Sequence, residues 1–216
     1  MQFVLPIPPR DNLTRADFLA APGNARALAF LDSFPAWPAP AAALYGPSAS
    51  GKSHLVRIWA AQAGAAVLRA ADLAEAPAAA LSGPVAVEDV DAAPGLAHEA
   101  ALFALLERGD PLLLTGRAPP VEWRVGLPDL ASRYAALLAF GLGAPDDELL
   151  ARLAAKLFAD RQLAVPEAVV RLMVERLARD PSAIRDFVAR ADARALSEKR
   201  PINQGLIREL LAETPS

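Results

Sequence analysis

The chain has 216 residues, no cysteine and a formal net charge of −3, and 54% of its residues are hydrophobic. This length suits one large domain, or a medium domain with a small one. The lack of cysteine excludes disulfides and thiolate metal sites. No apolar run approaches the roughly 20 residues of a membrane span, and the first residues lack the pattern of a signal peptide. We therefore expect a cytoplasmic protein that does not bind a membrane.

The charges are balanced along the chain. Residues 1–144 carry 10 basic and 13 acidic side chains, and residues 145–216 carry 12 of each. A protein held on DNA through phosphate contacts presents a strongly basic body or face. The balance therefore argues against direct sequence-specific DNA binding.

The first predicted elements follow a proline-rich start. Thr14 and Asp17 have the spacing of a capping box, which predicts a short helix over residues 14–21. Asn24 comes directly after a Pro-Gly break and is placed to cap a helix over Ala25–Phe34.

Short apolar runs then alternate with segments of helical spacing, which predicts a parallel sheet with helices on both faces. The fold class is therefore α/β with five strands. The predicted strands are Ala41–Tyr45, Ala66–Arg69, Val85–Glu88, Leu112–Thr115 and Leu137–Phe140. The predicted helices between them are Lys52–Ala63, Ala71–Leu81, Leu96–Arg108 and Asp129–Ala136.

Beyond a hinge-like Gly141–Pro145 segment, only helices are predicted. Pro166 suits the start of one helix and Asn203 suits the cap of another. The predicted domains are an N-terminal peptide at 1–10, an α/β domain at 11–143 and a small all-α domain at 144–216. The predicted helices of the last domain cover 146–161, 166–179, 182–198 and 203–213.

Residues 46–53 read GPSASGKS, the G-x-x-x-x-G-K-[ST] pattern of a phosphate-binding P loop. Glycines let the backbone curl so that N–H groups face a phosphate. Lys52 is placed to reach the β- and γ-phosphates, and the Ser53 hydroxyl to ligate Mg²⁺. The pattern predicts binding of ADP or ATP with Mg²⁺. The predicted binding residues of the loop are Gly46, Ser48, Ala49, Ser50, Gly51, Lys52, Ser53 and His54.

A second motif is an apolar strand that ends in two acids, Glu88 and Asp89. In P-loop ATPases such a strand end holds the Mg²⁺ shell and orients the attacking water. On its own, the same string also describes an ordinary solvated strand end.

Together these motifs resemble the AAA+ family, and within it the DnaA/Hda branch of bacterial replication proteins. The resemblance runs over nearly the whole chain and implies an AAA+ domain followed by a helical lid. It implies that Glu88 stands at the Mg²⁺-linked position and Asp89 at the position of the catalytic acid. The branch usually has Asp first, so the swap implies slow hydrolysis by this chain.

The resemblance assigns four further residues. Thr115 corresponds to the sensor 1 position near the γ-phosphate, and Arg133, in the string DLASR, to an arginine finger that reaches a neighbouring subunit's nucleotide. Arg185 corresponds to sensor 2, and Asn24 ends a segment that packs on adenine. Without the resemblance, Thr115 could end an ordinary core strand, Arg133 could be a surface arginine, and Asn24 could lie in simple helix packing.

Gln2, Leu5 and Pro6 resemble the short N-terminal peptide with which this branch binds the β sliding clamp of DNA polymerase III. Proline pre-sets an extended backbone, which suits a peptide that fills a groove. A tail or an edge strand is the alternative for these residues.

The resemblance implies a regulator that docks on the clamp, acts on DnaA and stimulates hydrolysis of DnaA-bound ATP; it also allows a homo-oligomer. The chain begins almost at the AAA+ fold and ends just after the lid, so we expect no DNA-reading domain, as in the shorter Hda type. An autonomous AAA+ ATPase of the helicase-loader or clamp-loader type is the alternative, and a DNA-binding initiator fragment is a third.

Overall fold

The computed structural model describes residues 13–73, 81–92 and 95–213. They form two compact units, which divide between Ala144 and Pro145. The first unit is α/β and the second contains only helices in its described part. The predicted N-terminal peptide and most of the predicted helix at 71–81 lie outside the described residues.

The first unit contains a five-stranded sheet in which every pair is parallel. The strand order is β2-β3-β4-β1-β5. All five strand predictions are confirmed to within one residue at each end. The three central strands are apolar and buried, as expected where helices cover both faces. The strands are β1 (Ala41–Tyr45), β2 (Ala66–Arg69), β3 (Val85–Glu88), β4 (Leu112–Gly116) and β5 (Leu138–Gly141).

Four helices accompany the sheet, and a separate apolar core lies on each face. Side chains of β1 alternate between the two cores: Leu44 packs with Leu55 and Trp59, while Ala43 joins the core that contains Leu102 and Leu130. The predicted helices over these ranges are confirmed. They are α1 (Ala25–Asp32), α2 (Lys52–Ala63), α3 (Leu96–Arg108) and α4 (Pro128–Ala135).

Two predictions near the N-terminus are wrong. The predicted helix at 14–21 is only a 3-10 turn, Arg15–Asp17, because the Thr14 hydroxyl donates to Asp17 Oδ2 (2.5 Å) and does not cap a backbone N–H. Asn24 does precede α1, but its side chain does not cap that helix. It is used one turn earlier, where it accepts from the Ala21 N–H (2.9 Å) and donates to the Leu19 carbonyl (3.1 Å).

The second unit contains four helices in its described part, at the predicted places. The Asn203 side chain accepts from the Leu206 N–H (3.1 Å), which confirms the predicted cap. Pro166 directly precedes its helix, which ends at Arg176, three residues before the predicted end. No helix among the described residues has the length and apolar character needed to cross a membrane. The helices are α5 (Asp147–Ala159), α6 (Glu167–Arg176), α7 (Pro181–Glu198) and α8 (Gln204–Ala212).

Candidate nucleotide-binding site

The predicted P loop connects β1 to α2, as the motif requires. Gly51 precedes α2 with a φ of 97°, and Ala49 has a φ of 62°. A run of residues that mixes left- and right-handed backbone turns successive N–H groups toward a common point, where an anion can bind. The start of α2 adds its own N–H groups and the positive end of the helix dipole.

Gly46 anchors the loop to the rest of the sheet. Its N–H donates to the Gly116 carbonyl at the end of β4 (3.2 Å). A Cβ at this position would lie 2.3 Å from the Leu142 carbonyl oxygen, directly after β5. Only glycine therefore fits here, and the loop begins in contact with the ends of both neighbouring strands.

Lys52 is buried inside the loop, with 8% of its surface exposed. Its ammonium donates to the carbonyls of Gly46 (2.7 Å) and Pro47 (2.8 Å). Burial lowers the pKa of Lys52, while the nearby carboxylate of Asp89 acts in the opposite direction. The site therefore holds a desolvated cation that is bound by neutral carbonyls and lies within electrostatic range of an acid.

The acidic strand end lies close to the loop because only β4 stands between β3, which ends in the acids, and β1, which leads into the loop. Thr115 on β4 is 1% exposed, and its hydroxyl accepts a hydrogen bond from the Asp89 N–H (3.1 Å). Asp89 has a φ of 58°, so the chain turns sharply where β3 ends. The two motifs and the predicted sensor threonine are thus brought together at one edge of the sheet.

The residues at this edge fit a nucleotide with Mg²⁺. The described part of the chain contains no group of three His, Cys, Asp or Glu side chains that could hold a metal. Ser53 is exposed at the start of α2. Glu88 Oε1 is buried and has no hydrogen-bond partner among the described residues, which makes it available to the Mg²⁺ shell.

Sequence reasoning missed two residues beside this edge. Asp91 Oδ2 accepts from the backbone N–H groups of Arg117 (2.6 Å) and Ala118 (3.3 Å), and so fixes the chain after β4. The Arg117 charge contributes to lowering the pKa of Lys52. For Asp91, the available signal in the sequence was an acid two positions after the Glu-Asp pair. For Arg117, it was a basic residue two positions after the predicted sensor residue Thr115.

Two residues that were predicted to contact the nucleotide, His54 and Asn24, use their side chains to hold neighbouring backbone segments. His54 is buried, donates from Nε2 to the Thr14 carbonyl (2.9 Å) and meets the Phe18 ring edge-on. Asn24 holds the preceding turn through two backbone contacts. Any contact of His54 with a nucleotide would therefore come from its backbone N–H in the first turn of α2.

The two predicted arginine contacts lie on different elements. Arg133 is on α4 with its side chain 51% exposed; it pairs with Glu107 and lies 6.0 Å from the centre of the Phe103 ring. Among the described residues, it forms no hydrogen bond or ion pair with the P loop. Arg185 is in the first turns of α7, in the helical unit. Their roles toward a nucleotide stay predictions.

The fold, with a P-loop sequence between its first strand and the following helix, is similar to the AAA+ fold of DnaA. Domain III of the replication initiation protein DnaA from Thermotoga maritima superposes with a TM-score of 0.79 at 18% identity, covering 95% of this chain and 98% of that one. AMPPCP-bound DnaA from Aquifex aeolicus gives 0.72 at 14% identity, covering 84% and 65%.

A second group of similar structures is RuvB from Thermotoga maritima, a Holliday junction branch migration motor. One such structure has a TM-score of 0.59 at 16% identity, covering 79% of this chain and 60% of that one. No family model and no curated protein matches the sequence. At these identities the likeness establishes the fold.

Proposed function

We propose that this chain is a nucleotide-bound regulator of replication initiation of the Hda type. It docks on the β sliding clamp and stimulates hydrolysis of DnaA-bound ATP, which prevents re-initiation. The observation that carries the proposal is an exposed arginine on α4, Arg133, in a chain whose fold matches DnaA domain III over 95% of its length.

The bound nucleotide is ADP or ATP with Mg²⁺, held by the P loop. DnaA structures with a similar fold bind the ATP analogue AMPPCP. The ammonium of Lys52 already lies in the loop and would exchange the carbonyls of Gly46 and Pro47 for phosphate oxygens. Mg²⁺ would neutralise phosphate charge, with Ser53 and Glu88 as its protein contacts.

Hydrolysis by the chain itself is slow in this proposal. Glu88 precedes Asp89, the reverse of the usual order of carboxylate lengths. Asp89 also has a left-handed backbone conformation, and its N–H is bound by Thr115. A displacement of about 1 Å in a group that orients the attacking water can lower a rate about a hundredfold. The chain would therefore retain its nucleotide and act on another protein's ATP.

In this proposal Arg133 provides the positive charge that stimulates hydrolysis of DnaA-bound ATP. A guanidinium beside a γ-phosphate stabilises the negative charge of the transferring group, and such a residue can act in trans. Arg133 is exposed on α4 and so can reach a neighbouring molecule. In this proposal DnaA provides the ATP and the attacking water, and this chain provides the arginine.

The contact with the clamp would use Gln2, Leu5 and Pro6, which lie outside the described residues. This part of the proposal is based on the sequence pattern alone. Clamp docking would raise the local concentration of the regulator at replicating DNA, because a tethered pair meets far more often than two free molecules.

The test combines clamp binding with stimulated hydrolysis. ADP-loaded protein should bind purified clamp, and a Gln2→Ala/Leu5→Ala variant should not. Arg133→Ala should retain clamp binding and lose stimulation of DnaA-bound ATP hydrolysis, while Arg57→Ala, a change at another exposed arginine, should keep both. Stimulation that survives Arg133→Ala would rule out the proposed mechanism.

An autonomous AAA+ ATPase of the helicase-loader or clamp-loader type is the second candidate. The likeness to the RuvB motor and the closeness of Asp89 to Lys52 favour it. This candidate predicts substantial ATP turnover by the purified chain without DnaA, and loss of that turnover in both Lys52→Ala and Asp89→Ala. This second candidate would be excluded if the purified chain hydrolysed ATP more slowly than DnaA-bound ATP is hydrolysed in the presence of the chain with Arg133 intact.

A further inference from the structure

Three residues on α3 face α4 at a spacing of four: Glu99, Phe103 and Glu107. Residues four apart lie above one another on a helix, so they form a single stripe, here called the α3 stripe. Each member contacts α4 or the residues that lead into it. The stripe therefore helps to hold α4, and with it Arg133, against α3, in addition to the apolar core that the two helices share.

Glu99 fixes the start of α4. It is 9% exposed and accepts from the Gly126 N–H at both carboxylate oxygens (2.9 Å each) and from the Leu127 N–H (2.9 Å). Leu127 is the N-cap of α4 and provides no side-chain cap. The carboxylate thus accepts from the N-cap N–H of α4, which is the bond that a Glu at the third position of a helix makes in a capping box, but it does so from α3.

Phe103 and Glu107 contact Arg133 from the same side. The guanidinium lies 6.0 Å from the centre of the Phe103 ring, and its Nη2 pairs with Glu107. Arginine has five N–H donors in a planar fork, so this pair leaves most donors free. The side chains of Arg133 and Glu107 are 51% and 46% exposed, so the fork stays accessible to a second molecule.

We propose that Glu107 is a positioning residue for Arg133, with Phe103 as its support. A long arginine side chain loses rotamer freedom when it engages a phosphate, and a contact that restricts it beforehand reduces this loss. The inference rests on the proposed function of Arg133 as a finger acting in trans, and adds the residue that orients it. Glu107 itself does not touch the nucleotide.

The test compares Glu107→Ala with Glu107→Gln, because glutamine keeps an oxygen that accepts from Nη2. Glu122→Gln is the matched control, since Glu122 is an exposed glutamate of the same unit. The first readout is the ¹⁵Nε–¹Hε NMR signal of Arg133, identified by its loss in Arg133→Lys. We expect greater mobility of this group in Glu107→Ala, an intermediate value in Glu107→Gln and no change in Glu122→Gln.

The second readout is stimulated hydrolysis of DnaA-bound ATP as a function of regulator concentration. Glu107→Ala should lower the maximal rate by about 2- to 5-fold, the size expected of a partly exposed ion pair, with an unchanged half-saturating concentration. Glu107→Gln should recover most of the loss. Thermal unfolding of Glu107→Ala should shift by no more than about 4 °C, the change expected from the loss of one partly exposed ion pair.

The outcomes separate the two proposals. An unchanged Arg133 signal in Glu107→Ala, or a faster maximal rate, overturns the positioning role. A wild-type protein that does not stimulate hydrolysis overturns the proposed function, and the NMR comparison still decides whether Glu107 holds Arg133. A change in the signal together with a lower rate that glutamine restores supports both.

Discussion

The hydroxyl of Thr115 accepts a hydrogen bond from the backbone N–H of Asp89 at 3.1 Å. This bond joins the ends of β4 and β3, and β4 is also the strand that pairs with β1 ahead of the P loop. Thr115 therefore links the two motifs: its side chain binds the acidic strand end, and its strand pairs with the strand that leads into the phosphate-binding loop. This is a structural role that does not require a nucleotide.

We expect Thr115→Val to lower the free energy of unfolding by about 1 kcal/mol, because the shape is preserved while the acceptor for the Asp89 N–H is lost. Thr115→Ser keeps the hydroxyl but removes a buried methyl group, which itself costs about 1 kcal/mol. Urea unfolding followed by circular dichroism measures the stability of each variant. Wild-type stability of Thr115→Val would contradict the assigned role of this hydrogen bond.

At Asp89 we expect glycine to be the more stable replacement. The residue has a φ of 58°, which alanine adopts at a cost of about 1 kcal/mol and glycine without cost. Asp89→Gly and Asp89→Ala both remove the carboxylate, so their difference in unfolding free energy isolates the backbone effect. If Asp89→Ala proves as stable as Asp89→Gly, this conformation is not retained in solution.

For Lys52 we expect ADP to raise the pKa of the ammonium. Burial holds that pKa below its ordinary value of 10.5, and the negative charge of phosphates favours the charged form. The chain has three lysines, so ¹³Cε NMR titration resolves them, and Lys52→Met assigns the signal. The other two lysines provide internal controls; an identical Lys52 titration with and without saturating ADP would refute the predicted phosphate contact.

Tyr134 provides a stability prediction with a defined pH dependence. Its hydroxyl is buried and has no hydrogen-bond partner among the described residues. Burial and, second, the charge of Glu99 raise the pKa of Tyr134 above its ordinary value of 10.0. The unfolded chain therefore loses the phenol proton at lower pH than the folded chain, and the free energy of unfolding should fall as pH rises past about 10.

We expect Tyr134→Phe to raise the free energy of unfolding at neutral pH by about 1 kcal/mol, because a buried hydroxyl without a partner is removed. Its decline above about pH 10 should also be smaller than in the wild type. Tyr45→Phe, a change at the other tyrosine of the chain, is the control. A loss of stability in Tyr134→Phe would show that the hydroxyl has a favourable contact.

The sequence was sufficient for the strands, most helices and the motifs, because each depends on local pattern. β1 is an apolar run before a glycine loop, and this order alone predicts a strand, loop and helix. The spacing of Thr14 and Asp17 was misleading, since a side-chain pair formed between them in place of a helix cap. Local rules could not choose between these two uses of the same residues.

The contacts between distant segments could not be predicted from the sequence. Glu99 and Gly126 are 27 residues apart, and only the packing of α3 on α4 brings them together. The same is true of Asp91 and Arg117, which meet because β3 and β4 are neighbours. An acid at such a position is indistinguishable in the sequence from one on a solvated surface.

The close approach of Gly46 to the Leu142 carbonyl has a mechanical consequence. Leu142 also donates from its N–H to the Tyr45 carbonyl (2.7 Å), and the Gly143 N–H donates to the Gly23 carbonyl (3.1 Å). The last residues of the α/β unit are therefore fastened to the first residue of the phosphate loop and to the turn before α1. Close-packed contacts of this kind transmit displacement, so a shift of the loop would also displace the residues that follow β5 within the same unit.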